Sequence, residues 1–378
     1  MNTTVDFGKK NFGFGLMRLP MLGNEPGVQG EVDIKLLSEM VDYFMEQGFN
    51  YFDTAHGYVG TKSETAIREA LVKRYPRDSY ILTNKLSGGY FNKAEEIIPL
   101  CKLQLEACGV EYFDNYLMHA MTVKEYKKYN DIGAFEEAKK LKEAGLIKHI
   151  GISFHDKAVL LEQILTEHPE IEMVQIQLNY IDYDDASVES KLVYEVCEKF
   201  SKPVMVMEPI KGGALVRLPD NAREILESRN SGSVASYAIR FAASFTNVKM
   251  VLSGMGSMED MRDNLSYMKD FKPLDEDEKN AVFAVADILR HLDTIPCTAC
   301  RYCIDGCPKK ILIPDLFACK NAKMVFGDWN SDFYYGVNTA AGHGKASECI
   351  KCGLCEKACP QHLEIRNLLE KVAVTFEK

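Results

Sequence analysis

The chain has 378 residues, 46% of them hydrophobic and 26% charged, with a formal net charge of -10. That is the composition of a globular protein with an ample core, long enough for one large domain and one small one, and its negative balance excludes a basic footprint for nucleic acid or an anionic membrane. No apolar run approaches the roughly 18 to 20 residues of a membrane span, and the initial MNTTVDFGKK lacks the apolar stretch of a secretory signal, so a cytoplasmic location is expected.

Residues 12–256 alternate short apolar runs with longer segments of helical period. The runs are FGFGLMRLP, NYFDTAH, YILTNKL, DNYLMHA, HIGISF, MVQIQLNY, PVMVMEPI and VKMVLSGM, eight in all. Between the first two lies IKLLSEMVDYFMEQG, in which Ile34, Leu37, Val41 and Phe44 share one face, with Asp33 placed to cap the start and Gly48 the end. SETAIREALVKRY, FEEAKKLKEAGLIK, LVYEVCEKF and SVASYAIRFAAS follow the same logic. Strands separated by helices, with no hairpin turns joining them, imply right-handed parallel crossovers. Eight such units in roughly 250 residues predict an α/β fold, a closed (β/α)8 TIM barrel. An open doubly wound sheet would bring a G-x-G-x-x-G turn after its first strand, and GFGLMRLP has the first two glycines without the third.

The pattern changes after about residue 274. A helix over roughly 274–292 leads into a cysteine-rich stretch, and HLEIRNLLEKVAVTF closes the chain with helical period. The expected division is a barrel over 1–290 and a mostly helical, ferredoxin-like two-cluster domain over 291–378. Within the latter, KNAKMVFGDWNSDFYYGVNTAAGHGKAS, rich in Gly, Asn and aromatics, reads as an extended loop.

Catalytic groups of such barrels sit at the carboxyl ends of the strands. Those positions hold Asp53, His56 and Tyr58; Asn84 and Lys85; His119; Ser153, Phe154 and His155; Gln175, Gln177 and Asn179; and Glu208 and Lys211. A phenol of reference pKa about 10 donates its proton poorly at neutral pH unless a nearby ammonium stabilises the phenolate. Lys85 can supply that charge, Asp53 can hold Lys85 as an ion-pair partner, and His119 can orient a carbonyl toward the Tyr58 hydroxyl. His56 and His155 read as wall or loop residues, and Cys101, Cys108 and Cys197 as small buried hydrophobes on helices.

DTAHGY, TNKL and YLMHA resemble the catalytic segments of the aldo-keto reductases, and GISFH, QIQLNY, MEPIKGG and GMGSMEDMRDNL follow in that family's cofactor-binding order, over roughly residues 12–290. The resemblance implies a tetrad of Asp53, Tyr58, Lys85 and His119, with Tyr58 as general acid, and a nicotinamide nucleotide lying across the barrel mouth. It places Ser153 and Gln175 at the carboxamide, where Phe154 replaces the usual Asn, and Met207 where many members stack an aromatic ring. Lys211, Gly212 and Gly213 fall near the pyrophosphate, and Ser257, Asp263 and Asn264 at the adenosine end. Gly254 stands where a basic residue often marks a 2'-phosphate site, so NADPH is the family's expectation and NADH stays open.

Nine of the twelve cysteines lie after residue 290, a poor distribution for a disulfide framework. Eight form two copies of C-x2-C-x2-C-x3-C-P: Cys297, Cys300, Cys303 and Cys307, then Cys349, Cys352, Cys355 and Cys359. Zinc sites usually present paired C-x2-C knuckles, whereas three closely spaced cysteines wrap one corner of an iron-sulfur cubane. The run resembles that of two-cluster ferredoxins, which implies two 4Fe-4S clusters with crossed fourth ligands: Cys297, Cys300, Cys303 and Cys359 on one, and Cys349, Cys352, Cys355 and Cys307 on the other. Cys319 is left over. Two readings follow. One is an oxidoreductase of the iron-sulfur subgroup of that family, which takes a small-molecule carbonyl substrate and NAD(P)H. The other is an electron-transfer subunit that uses the barrel as a docking scaffold for a redox partner protein.

Overall fold

The computed structural model describes residues 4–23, 30–185, 188–229, 231–292, 294–295, 297, 301–326, 330–340, 342–359 and 363–377. Two compact units divide the chain, residues 1–211 with 230–279 and residues 212–229 with 280–378.

In the first unit, eight strands close into a parallel barrel: β1 Phe12–Gly15, β2 Tyr51–Asp53, β3 Ile81–Leu86, β4 Phe113–Met121, β5 Ile147–Phe154, β6 Met173–Gln177, β7 Val204–Met207 and β8 Val248–Ser253. Neighbours pair in chain order, and β8 returns to β1. Alternation along a strand puts every second side chain inside. Tyr51, Ile81, Leu117, Met173, Met205, Met250 and Leu252 accordingly form one apolar interior cluster. Glycine is required where that interior is tightest. A Cβ on Gly13 would meet Leu252, Met250 and Tyr51 atoms at 2.8 to 2.9 Å, and one on Gly151 would meet Leu117 at 2.5 Å. Two residues further along β2, β3, β6 and β7, the same face carries Asp53, Thr83, Gln175 and Met207. The helices behave as their apolar stripes predict. Ile34–Glu46 starts where the Asp33 carboxylate accepts from Leu36 N at 2.9 Å, and it buries Leu37, Met40, Val41 and Phe44.

Some features depart from the sequence reading. Met21–Leu22 and Glu31–Val32 make a short antiparallel ladder, so the barrel carries one small hairpin after all. Two helices, Val123–Ile132 and Ala134–Glu143, meet at Gly133 (φ 77°) between β4 and β5.

Among its described residues the second unit is helical, with Asp220–Glu227, Tyr302–Asp305, Ile313–Phe326, Asn330–Asn338, Leu354–Ala358 and Ile365–Phe376, while Glu276–Arg290 crosses the division. Its core gathers Ile311, Ile313, Leu316, Phe317, Ile365, Leu369 and Val372. The stretch expected to be an extended loop is instead largely helical. Its apolar residues hide the period. Tyr335 is buried, stacked on Phe376 with ring centres 4.5 Å apart, while Phe333, Tyr334 and Val337 on the same helix are exposed. No amphipathic stripe marks such a helix; its stability comes from tertiary contact. No described helix is long and apolar enough to cross a membrane.

Candidate functional site

β2 and β3 bring together a fully buried ion pair. Lys85 Nζ lies 2.6 Å from Asp53 Oδ1 and donates to the Thr54 carbonyl at 2.8 Å. The same ammonium sits 4.7 Å from the centre of the half-buried Tyr58 ring. Burial pulls Lys85 down, but the Asp53 carboxylate and the Tyr58 phenol outweigh it, and its pKa stands above the ordinary lysine range. Burial likewise pushes the Tyr58 phenol up, against the opposing pull of Lys85. Tyr58 is therefore a protonated phenol facing a protonated amine, a donor whose conjugate base has a cation waiting beside it.

His119 completes the group from the end of β4, with its ring centre 5.9 Å from that of Tyr58 and its Nδ1 2.6 Å from Ser87 Oγ. Burial, then the charges of Lys85 and His155, hold its imidazole well below the usual range, so it is neutral. His155 is open to solvent, yet it is crowded enough by protein that burial, then Lys85, lowers it to about 4. Backbone strain gathers at the same strand ends. Val59, Ala120, Glu208 and Lys211 have φ between 46° and 57°, a region that non-glycine residues seldom enter.

The four residues expected to act together thus share one recess, and part of the expected nucleotide set lies beside them. Gln175 Nε2 donates to Asp53 Oδ2 at 3.4 Å, Ser153 Oγ lies 3.1 Å from His155 Nε2, Phe154 is buried, and Met207 ends β7 half-buried. Lys211 is held by Asp182 at 2.7 Å, and Asp182 is itself gripped by Gln177 and Asn179 at 2.6 and 2.7 Å. This keeps a cation fixed and three-quarters buried, which suits an anionic ligand group.

The positions expected at the adenosine end are engaged within the protein. Ser257 caps the helix Met258–Met268 by accepting from Asp260 N at 3.1 Å, and Asp263 accepts from Ser233 Oγ at 2.7 Å. Asn264 donates to Ser253 Oγ at 3.0 Å and accepts from the Tyr267 hydroxyl at 2.6 Å. A Cβ on Gly254 would come within 3.2 Å of Arg18 Cβ, so the chain is tight where a basic residue was looked for. Gly212 and Gly213 belong to the second unit, where both take left-handed φ of 65° and 91°.

Sequence reasoning missed a second layer. Glu64, almost wholly buried, lies 2.7 Å from His56 Nδ1 and accepts from Asn84 Nδ2 at 2.8 Å. Asn84 in turn accepts from Gln104 and from the backbone of Lys85. This chain of contacts fixes the β3 end that carries Lys85. The available signal was positional: Glu64 takes a place in the apolar spacing of Ile67 and Leu71, where a carboxylate must find partners.

In the second unit, Cys307, Cys349, Cys352 and Cys355 line one cavity of about 320 Å³, its open mouth included, together with Ile311, Ile313 and Leu369. Among the described residues no three His, Cys, Asp or Glu side chains converge as a single metal ion would require. Four soft sulfur donors around a space lined otherwise by Lys309 and mainly apolar side chains fit an iron-sulfur group instead. Cys303 and Cys359 are buried in the same core, and Cys297 packs against it half-buried. Cys300 lies outside the described residues. Cys319, buried and accepting from Asn338, has its thiol pushed up to about 11 by burial, as suits an unligated core residue.

A family model described as Aldo/keto reductase family matches residues 11–287, and one described as 4Fe-4S dicluster domain matches residues 296–364. The NADH-specific methylglyoxal reductase of Escherichia coli strain K12 is 22% identical over 308 residues, which span 70% of this chain and 91% of that protein. The NAD(P)H-dependent 6'-deoxychalcone synthase of Glycine max is 25% identical over 250 residues, 59% of this chain and 74% of that one. Among solved structures, an aldo-keto reductase from Klebsiella pneumoniae in complex with NADPH superposes with a TM-score of 0.57 at 19% identity, covering 73% of this chain and 90% of its own.

Proposed function

The chain belongs to the aldo/keto reductase family, and from that premise we propose that it reduces a small aldehyde or ketone with NAD(P)H, or oxidises the alcohol in reverse, with Tyr58 as the general acid. The observation that carries this reading is the Lys85 ammonium, 2.6 Å from Asp53 and 4.7 Å from the Tyr58 ring centre. Ser153, Gln175 and Met207 would hold the nicotinamide end of the nucleotide and Lys211 its phosphates; when bound, the nucleotide supplies or accepts the hydride. The chain's own residues do the rest. Ser87 donates its hydroxyl proton to His119 Nδ1, which leaves Nε2–H to orient the carbonyl oxygen. Tyr58 gives its proton to the oxygen as negative charge develops there, and Lys85 stabilises the phenolate left behind. Asp53 holds Lys85 in place.

The cysteine unit is proposed to carry two 4Fe-4S clusters, one on Cys297, Cys300, Cys303 and Cys359, the other on Cys307, Cys349, Cys352 and Cys355. The four-cysteine cavity supports the second set. An electron-transfer subunit that used the barrel only as a scaffold would leave the Asp53–Lys85–Tyr58 arrangement without a task. Tyr58→Phe tests the enzyme reading: with methylglyoxal as the probe, kcat should fall by about 10²- to 10⁴-fold while NADPH still quenches protein fluorescence. Unchanged turnover overturns the assignment.

A further inference from the structure

Both cysteine sets have buried members, Cys303 and Cys359 at 7% and 9% exposed in one and Cys355 at 8% in the other, and half-buried ones, Cys297 in the first and Cys307 and Cys349 in the second. Among the described residues the second set is marked by its rim: Cys352 is exposed, and two apolar side chains beside ligand positions stand in water, Ile350 at 57% exposed and Leu354 at 45%. Ile350 follows Cys349 and also lines the four-cysteine cavity, so a protein touching Ile350 would be at the edge of the cluster itself. Electron tunnelling falls steeply with distance, which makes that edge the favourable point of exchange.

The charge around this edge runs against the rest of the chain. Residues 307–313 and 348–359 carry four lysines and two glutamates, in a protein of formal net charge -10. Glu348 accepts from Lys345 N at 2.7 Å, Glu356 is held by Arg366 at 2.8 Å, and Lys351 is held by Glu370 at 2.5 Å. Lys309, Lys310 and Lys357 are exposed, and among the described residues their side chains enter no hydrogen bond or ion pair. A net-negative protein with a small unpaired basic patch repels an acidic partner everywhere but at that patch.

We propose that the rim formed by Ile350 and Lys309, with Lys310 next to it, is the docking site for a small acidic one-electron carrier protein, and that the cluster on Cys307, Cys349, Cys352 and Cys355 is where electrons enter. This rests on the ligand assignment given above. In each encounter the reduced carrier loses one electron and the oxidised cluster gains it; no bond forms and no proton moves. The contact is of the small, transient kind that redox encounters use, under about 1,200 Å² in all.

The test uses the full chain with its clusters reconstituted anaerobically. The oxidised protein is mixed in a stopped-flow cell with a dithionite-reduced acidic bacterial ferredoxin as one probe and with methyl viologen radical cation as the other. Lys309→Glu/Lys310→Glu should lower the second-order rate with ferredoxin about tenfold at low salt, with the difference closing at high salt. The viologen rate should not fall. Ile350→Gln should slow the ferredoxin reaction at both ionic strengths. A wild-type ferredoxin rate that ignores salt, together with a double variant as fast as wild type, overturns the docking site. Iron content and the electron paramagnetic resonance spectrum of the wild type separate the two layers of the argument. A protein without the second cluster overturns the ligand assignment, and the port with it. Two intact clusters with salt-independent exchange overturn the port alone.

Discussion

In the barrel unit, buried charge comes with protein partners already in place. Lys85 has Asp53 and the Thr54 carbonyl, Glu64 has His56 and Asn84, and Arg240 reaches both oxygens of Glu278 at 2.7 and 2.6 Å. In the cysteine unit, the cavity lined by four cysteines is otherwise bordered mainly by Ile311, Ile313, Leu369 and other apolar side chains, which offer a thiol no polar partner. A site whose polar groups satisfy one another is complete before any ligand arrives, whereas a ring of thiols is completed by what it binds. The first unit is therefore expected to keep its fold in any state of loading, and the second to depend on iron.

Withdrawing iron is the break that acts on a whole unit at once. Anaerobic chelation should speed proteolytic cutting within residues 295–376 by about 100-fold, the shift expected when a ligand present at about 100 times its dissociation constant is removed. Cutting within the barrel should be unchanged. Equal protection of the cysteine unit with and without iron would show that its helical core is enough, and the contrast between the units would fall.

The second break is internal to the barrel. Lys85→Met leaves the Asp53 carboxylate buried without its cation, which costs about 3–5 kcal/mol. Asp53→Asn/Lys85→Met removes both charges and should recover most of that loss, read as the urea midpoint of the barrel transition. If the double variant is as unstable as the single, the pair is not the unit of stability that its 2.6 Å contact suggests.

These effects also mark what was legible before any coordinates. The carboxyl ends of the apolar runs singled out Asp53, Lys85 and Gln175, because the end of a strand can be read from local sequence, and Met207 came from the family resemblance. The cysteine spacing was equally local. What could not be read were pairings set by register and packing across the fold. Asp182 with Lys211 is 29 residues apart and Asn84 with Glu64 is 20, and neither carries a periodic signal. Asn264, expected at the adenosine end, donates to Ser253 and accepts from Tyr267, contacts that its sequence neighbourhood did not announce. The helix Asn330–Asn338 was hidden for the same reason, since its exposed aromatics outnumber its buried one.

A smaller effect probes how far the barrel site depends on its supporting contacts. Ser87→Ala removes the partner of His119 Nδ1 at 2.6 Å. A neutral hydrogen bond of this kind is worth about 0.5–1.5 kcal/mol, so kcat should fall up to about tenfold with nucleotide affinity unchanged. Ser87→Thr should restore it. An alanine variant with wild-type kcat would mean that His119 keeps its tautomer without help.

The smallest expected effect is an absence of change, and its sign separates catalysis from stability. His119 lies well below the ordinary imidazole range because of burial, then Lys85 and His155, so it stays neutral as pH falls through about 6.5. Tyr58, raised chiefly by burial, stays protonated as pH rises past neutrality. The kcat for carbonyl reduction should then vary less than about twofold between roughly pH 6 and 9. The unfolded chain behaves differently, because its histidine takes up a proton near 6.5 while the folded one refuses it. Stability is therefore lost as pH drops below about 6.5 toward the lower folded value, with turnover per folded molecule unchanged. A break in kcat near pH 6.5 would place a charged His119 in the working enzyme, and the recess would no longer be one in which Lys85 is the cation that faces Tyr58.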